Sequence, residues 1–110
     1  IAAKARALTA YAVDLFDAWL VGDGFRLASP RDPTGRGAQI TLQHPNAWQI
    51  CQALKAADVI PDFRTPDRLR LGFAPLYTRF VDVYEGMRRL REVMTSHAYN
   101  GFSAHRGRVT

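Results

Sequence analysis

Arg68-Leu69-Arg70-Leu71-Gly72-Phe73 alternates without a break between polar and apolar positions, with glycine standing in for a polar residue once. A β-strand points successive side chains to opposite faces, so Leu69, Leu71 and Phe73 share one face while Arg68, Arg70 and Gly72 share the other. The leucine face has the character of core. Arg70 then projects the other way from a rigid strand, beside a glycine that leaves room for something to approach. A guanidinium held like that suits planar, two-point recognition of a carboxylate. A solvated sheet face, or an arginine paired with Asp62 or Asp67, accounts for the same pattern.

Working outward, Val59 to Arg64 reads as a second short strand joined to the first by the turn Thr65-Pro66-Asp67, with Pro61 suited to an edge or a bulge. Gln39 to Gln43 alternates too, placing Ile40 and Leu42 on one face, and Phe25 to Ser29 has the same character. Between the strand pairs lie helical stripes. Leu8, Ala12, Leu15, Phe16, Trp19 and Leu20 recur at helical spacing across residues 3–21, and Gly22 and Gly24 follow as stop signals. Pro45 suits the first turn of a helix whose stripe is Ala47, Ile50, Cys51, Leu54 and Ala57. Phe80, Val83, Tyr84, Met87, Leu90 and Met94 predict a long closing helix to about Ser96. The resulting order predicts an α+β domain, a small antiparallel sheet of about four strands covered by helices. That domain is expected over residues 1–98, and residues 99–110, which lack periodicity, are expected to form a loose tail.

Composition narrows the class. At 110 residues and 47% hydrophobic the chain is too apolar to be a disordered tail, and it is long enough for one core but not two. A lone cysteine, Cys51, excludes an intrachain disulfide and a multi-cysteine zinc site, so a reducing compartment such as the cytoplasm is the expected home. No apolar run is long enough to span a bilayer. The chain opens on Ile1 inside a helical stretch, which reads as a piece of a longer polypeptide. Fifteen basic residues against ten acidic ones give a net charge of +5, yet the arginines are scattered along the chain and no nucleic-acid-reading motif accompanies them.

Candidates for chemistry are few. His44, His97 and His105 have no metal-pair spacing, and Gly35-Arg36-Gly37 lacks the context of a phosphate loop. His44, just before Pro45, is placed to close a helix start by hydrogen bonding, with a general-base role left open. Cys51 reads as a small buried hydrophobe. The stiff loop Pro30-Arg31-Asp32-Pro33-Thr34-Gly35-Arg36-Gly37 is either a charged turn or a surface shaped for a partner.

Several stretches together carry a resemblance. Ser29-Pro30-Arg31-Asp32-Pro33, Arg36-Gly37, Ile40-Thr41-Leu42-Gln43-His44-Pro45, Val59-Ile60-Pro61-Asp62-Phe63-Arg64-Thr65-Pro66-Asp67, Leu69-Arg70-Leu71-Gly72-Phe73-Ala74-Pro75-Leu76-Tyr77 and Phe80-Val81-Asp82-Val83 follow one another in this order. From Ile1 to Met94 the chain resembles the C-terminal part of the kynureninases. The resemblance implies the small domain of an aspartate-aminotransferase-like fold, following a large cofactor domain that is absent from this chain. It implies a pyridoxal 5'-phosphate enzyme that hydrolyses L-kynurenine, or its 3-hydroxy form, to anthranilate (3-hydroxyanthranilate) and L-alanine in tryptophan degradation and NAD biosynthesis. The cofactor lysine, the phosphate-binding groups and the stacking aromatic would all lie in the large domain, leaving this fragment inactive alone. Arg70 falls at the position of the arginine that clamps the substrate α-carboxylate. Arg31, Asp32, Arg36 and Tyr77 are expected to contact the large domain or the partner of a homodimer, with no nucleic acid or membrane involved. The rival readings are the small domain of another pyridoxal-phosphate lyase or aminotransferase, and an autonomous basic binding module.

Overall fold

A computed structural model describes residues 2–32, 38–73 and 77–103. The first helix, α1 (Ala2–Trp19), buries Ala5, Leu8, Thr9, Ala12, Val13 and Phe16, a stripe spaced by three and four. Thr9 is tolerated in that stripe because its hydroxyl donates to the carbonyl of Ala5 at 3.0 Å. After α1 a short 3₁₀ turn, Val21–Asp23, ends at Gly24, whose φ of +89° is the left-handed conformation that reverses the chain.

Four strands follow in two pairs: β1 (Arg26–Leu27), β2 (Gln39–Gln43), β3 (Asp62–Arg64) and β4 (Arg68–Gly72). They form one antiparallel sheet in the order β1-β2-β4-β3. The two long strands lie side by side at its centre, in the register Ile40 to Leu71, Thr41 to Arg70 and Leu42 to Leu69. Cross-strand partners share a face, so Leu27, Ile40, Leu42, Phe63, Leu69 and Leu71 fall together, and helices cover that face.

Between the pairs runs α2 (Ala47–Ala56), and α3 (Phe80–Thr95) closes the domain. Ile50, Cys51 and Leu54 of α2 and Val83, Met87 and Leu90 of α3 are buried in one core with the leucine face, α2 lying against β4 and α3 against α1 and α2. Helix α2 ends in a hydrogen-bonded reversal: Asp58 N–H donates to Lys55, Val59 N–H donates to Leu54, and Asp58 sits at φ 65°. At the start of α3 the Asp82 carboxylate accepts the Arg79 backbone N–H at 2.8 Å. These are the elements of an α+β domain, a four-stranded antiparallel sheet with helices on one side.

Three details differ from the sequence reading. Pro45 stands in a turn ahead of α2 rather than in its first turn, and Asn46 holds the N-cap position without a side-chain capping hydrogen bond. The strand expected from Val59 begins only at Asp62, because Pro61 has no N–H to give to a ladder. The segment from Tyr99, expected to be loose, opens inside a 3₁₀ turn, Ala98–Gly101, and Tyr99 and Phe102 pack against the core. Tyr99 reaches His44 edge-on, with ring centroids 6.1 Å apart.

Candidate functional site

Opposite the leucine face, the same register assembles a polar one. Arg26, Gln43, Arg68 and Arg64 make a row across all four strands, and Thr41, Arg70 and Asp62 make the next. Gln39 and Gly72 complete a third row. The arginines that look scattered in the sequence are thus partly gathered, since Arg26, Arg64, Arg68 and Arg70 share one sheet face. Among the described residues a Cβ added at Gly72, two positions along the strand from Arg70, would meet nothing within 4 Å.

Arg70 is the least exposed member of its ion pairs, with 27% of its side chain accessible. Its Nη2 donates to Asp62 Oδ2 at 2.5 Å, across the β3–β4 register. The Asp62 carboxylate is shared, because Arg64 Nη2 lies 3.0 Å from the same oxygen. The hydrogen bond from Arg70, seconded by the charge of Arg64, holds the Asp62 carboxyl below the ordinary carboxylate range. Arg70 Nε is buried and has no hydrogen-bond partner among the described residues. The pairing with Asp62 left open by the alternation is therefore formed, and Asp67 is engaged elsewhere, accepting from Gln43 Nε2 at 3.0 Å.

The other candidates lie apart from this cluster. Arg31 grips Asp17 of α1 with two parallel hydrogen bonds of 2.9 and 3.0 Å, so the loop is tied to its own domain. Asp32 is exposed, and Arg36 lies outside the described residues. Tyr77 is 83% exposed, and Phe80 and Val81, three and four residues on, are about half exposed. His44 is a structural residue: its Nδ1 accepts the Asn46 N–H at 2.9 Å and its Nε2 meets the carbonyl of Asp23 at 2.9 Å. That leaves no ring nitrogen for general-base work, and it explains why α2 starts where it does. Cys51 is fully buried, and desolvation pushes its thiol up to about 12, far from a nucleophile's range.

Sequence reasoning missed a cleft of about 390 Å³ at the far end of β4, lined by Val59, Ile60, Gly72, Phe73, Gly86 and Met87. Arg70 is not among its lining residues, but Gly72, on the same sheet face, is. Among the described residues no cluster of three or more His, Cys, Asp or Glu is placed to hold a metal ion, and no helix is long and apolar enough to cross a membrane. The chain's two lysines, Lys4 and Lys55, are both exposed on helices.

Fold and site together define a class: a two-layer α+β domain that keeps its helices to one side and presents an arginine-bearing sheet face on the other. Residues 1–90 match the family described as kynureninase C-terminal domain. A kynureninase of Burkholderia mallei (strain SAVP1) is 42% identical over 96 residues, which is 87% of this chain and 23% of that protein. A kynureninase of Bacillus mycoides (strain KBAB4) is 37% identical over 103 residues, covering 94% of this chain and 24% of its own. The chain belongs to the kynureninase C-terminal domain family. It spans about a quarter of the length of the curated relatives it matches.

Proposed function

We propose that this chain is the small domain of a kynureninase and that it orients the substrate. The complete enzyme, on this reading, uses pyridoxal 5'-phosphate to hydrolyse L-kynurenine or 3-hydroxykynurenine to L-alanine and the corresponding anthranilate. The family relationship supports the class of enzyme, and one observation carries the role of this part: Arg70 stands half-buried on a central strand, facing away from the core. The cofactor supplies the electron sink for cleaving the bond. On this reading its anchoring lysine comes from the rest of the polypeptide.

What Arg70 contributes is geometry. A carboxylate taken by two N–H groups of one guanidinium is fixed in both distance and plane, so the amino acid stays aligned while its side chain is cleaved. No proton needs to move at Arg70, which stays charged throughout. Without the cofactor's attachment site the isolated chain is inactive. The enzyme is a homodimer of the cytoplasm on this reading, with Arg31, Asp32, Arg36 and Tyr77 at domain or subunit contacts.

Arg70→Lys in the full-length enzyme tests the assignment. Lysine keeps the charge but loses the planar fork, so kcat/KM should fall by about a hundredfold, roughly the worth of a charge-assisted bidentate contact. Near-normal kinetics for L-kynurenine would remove Arg70 from the site.

A further inference from the structure

Arginine has five N–H donors on a plane that turns freely about a long stem, so a carboxylate-binding arginine needs something to stop the plane from turning. Around Arg70 the structure supplies two stops. Nη2 is tied to Asp62 Oδ2, and Nε is packed under neighbouring atoms. Nη1 forms no hydrogen bond among the described residues and is not among the buried unpartnered atoms. The end of the fork formed by Nη1 and the second hydrogen of Nη2 is therefore the part left for an incoming carboxylate.

Asp62 is itself held. It faces Arg70 directly in the β3–β4 register, and Arg64 Nη2 lies 3.0 Å from the same carboxylate oxygen. The hydrogen bond from Arg70 and the charge of Arg64 hold the Asp62 carboxyl below the ordinary carboxylate range, which favours its ionised form.

We infer that Asp62 is a positioning residue that sets the Arg70 guanidinium for the substrate carboxylate, with Arg64 bracing Asp62 from behind. This rests on the reading of Arg70 given above. Asp62 touches neither substrate nor cofactor on this account; it acts through Arg70. The alternative role for a carboxylate in that place, a stand-in that the substrate must displace, predicts the opposite sign.

The test is made in the full-length enzyme loaded with its cofactor. Asp62→Ala should raise KM for L-kynurenine about tenfold with kcat changed far less, as expected when a coupled partner in one hydrogen-bond network is lost. Asp62→Glu should recover part of the loss. The carboxamide of kynurenine gives a readout that a general structural defect would not move: discrimination between acid and amide should shrink in Asp62→Ala and in Arg70→Lys alike. In the double variant the two losses should not add. Should Asp62→Ala fail to fold, Asp62→Val, which also removes the acceptor and suits a strand position, carries the comparison. An unchanged or lowered KM in the Asp62 variants, or fully additive losses, overturns the positioning role. If Arg70→Lys raises KM and the Asp62 variants do not, only this inference falls; if Arg70→Lys itself is without effect, the carboxylate reading falls with it.

Discussion

Gly24 and His44 show how much one residue position can require of its neighbour. Gly24 stands at φ +89°, and a Cβ built there would lie 3.2 Å from His44 Nε2, the atom bonded to the Asp23 carbonyl. Alanine would thus meet both a backbone it rarely adopts and a ring that cannot move without breaking its hydrogen bonds. Gly24→Ala should cost about 1–2 kcal/mol, read as a lower denaturant midpoint with an unchanged slope. An unshifted midpoint would mean the turn relaxes more freely than its geometry implies. At this scale the sequence was partly legible. Gly24 announces a turn and His44 before Pro45 announces a helix start, but that the two touch is a product of the tertiary fold. The same holds at the site, where alternation exposed Arg70 and left a solvated face, Asp62 and Asp67 open as its surroundings, while the choice of Asp62 and the burial of Nε follow from packing that no spacing records.

The elements were legible wherever a periodic stripe ran for several turns or pairs. Helices α1 and α3 and the central strands β2 and β4 declare themselves by their apolar spacing. The elements that failed to do so are held by contacts from elsewhere. Tyr99 is fixed by rings, with His44 on one side and His97 on the other. Helix α2 ends on Asp58 at positive φ, where the usual glycine signal is missing. On α3 the sequence's charged residues become a network: Arg88 pairs with Glu85 and Glu92, Arg89 also reaches Glu85, and Arg79 pairs with Asp82 at the first turn. Arginine hydrogen bonds hold Asp82 and Glu85 below the ordinary carboxylate range. A carboxyl with a depressed folded pKa stabilises above its unfolded pKa, and that contribution is lost as pH falls through the folded value. The melting temperature of the chain should therefore decline below about pH 4. Asp82→Ala should lower the plateau above that pH and make the decline shallower. A melting curve indifferent to acid would show that these pairs are too well solvated to matter.

Across the whole molecule, core and candidate site are two readings of one register. Sliding β4 by a single residue against β2 would carry Arg70 into the helices and Leu69 onto the open face, so the burial energy of the leucines also fixes where the arginine points. The odd and even positions of β4 are otherwise independent, which leaves the polar face free to vary without disturbing the core. One buried residue turns this cooperativity into something measurable. Cys51 is the chain's single thiol, fully shielded and raised to about 12, so a thiol reagent at neutral pH reaches it only when the domain opens. Its labelling should be slow in buffer and accelerate with urea in proportion to the population unfolded, and rapid labelling of the native chain would contradict the packing around α2. The chain thus carries an intrinsic reporter of its own opening, one sulfur whose rate of modification counts unfolding events without any dye, tag or second cysteine to confuse them.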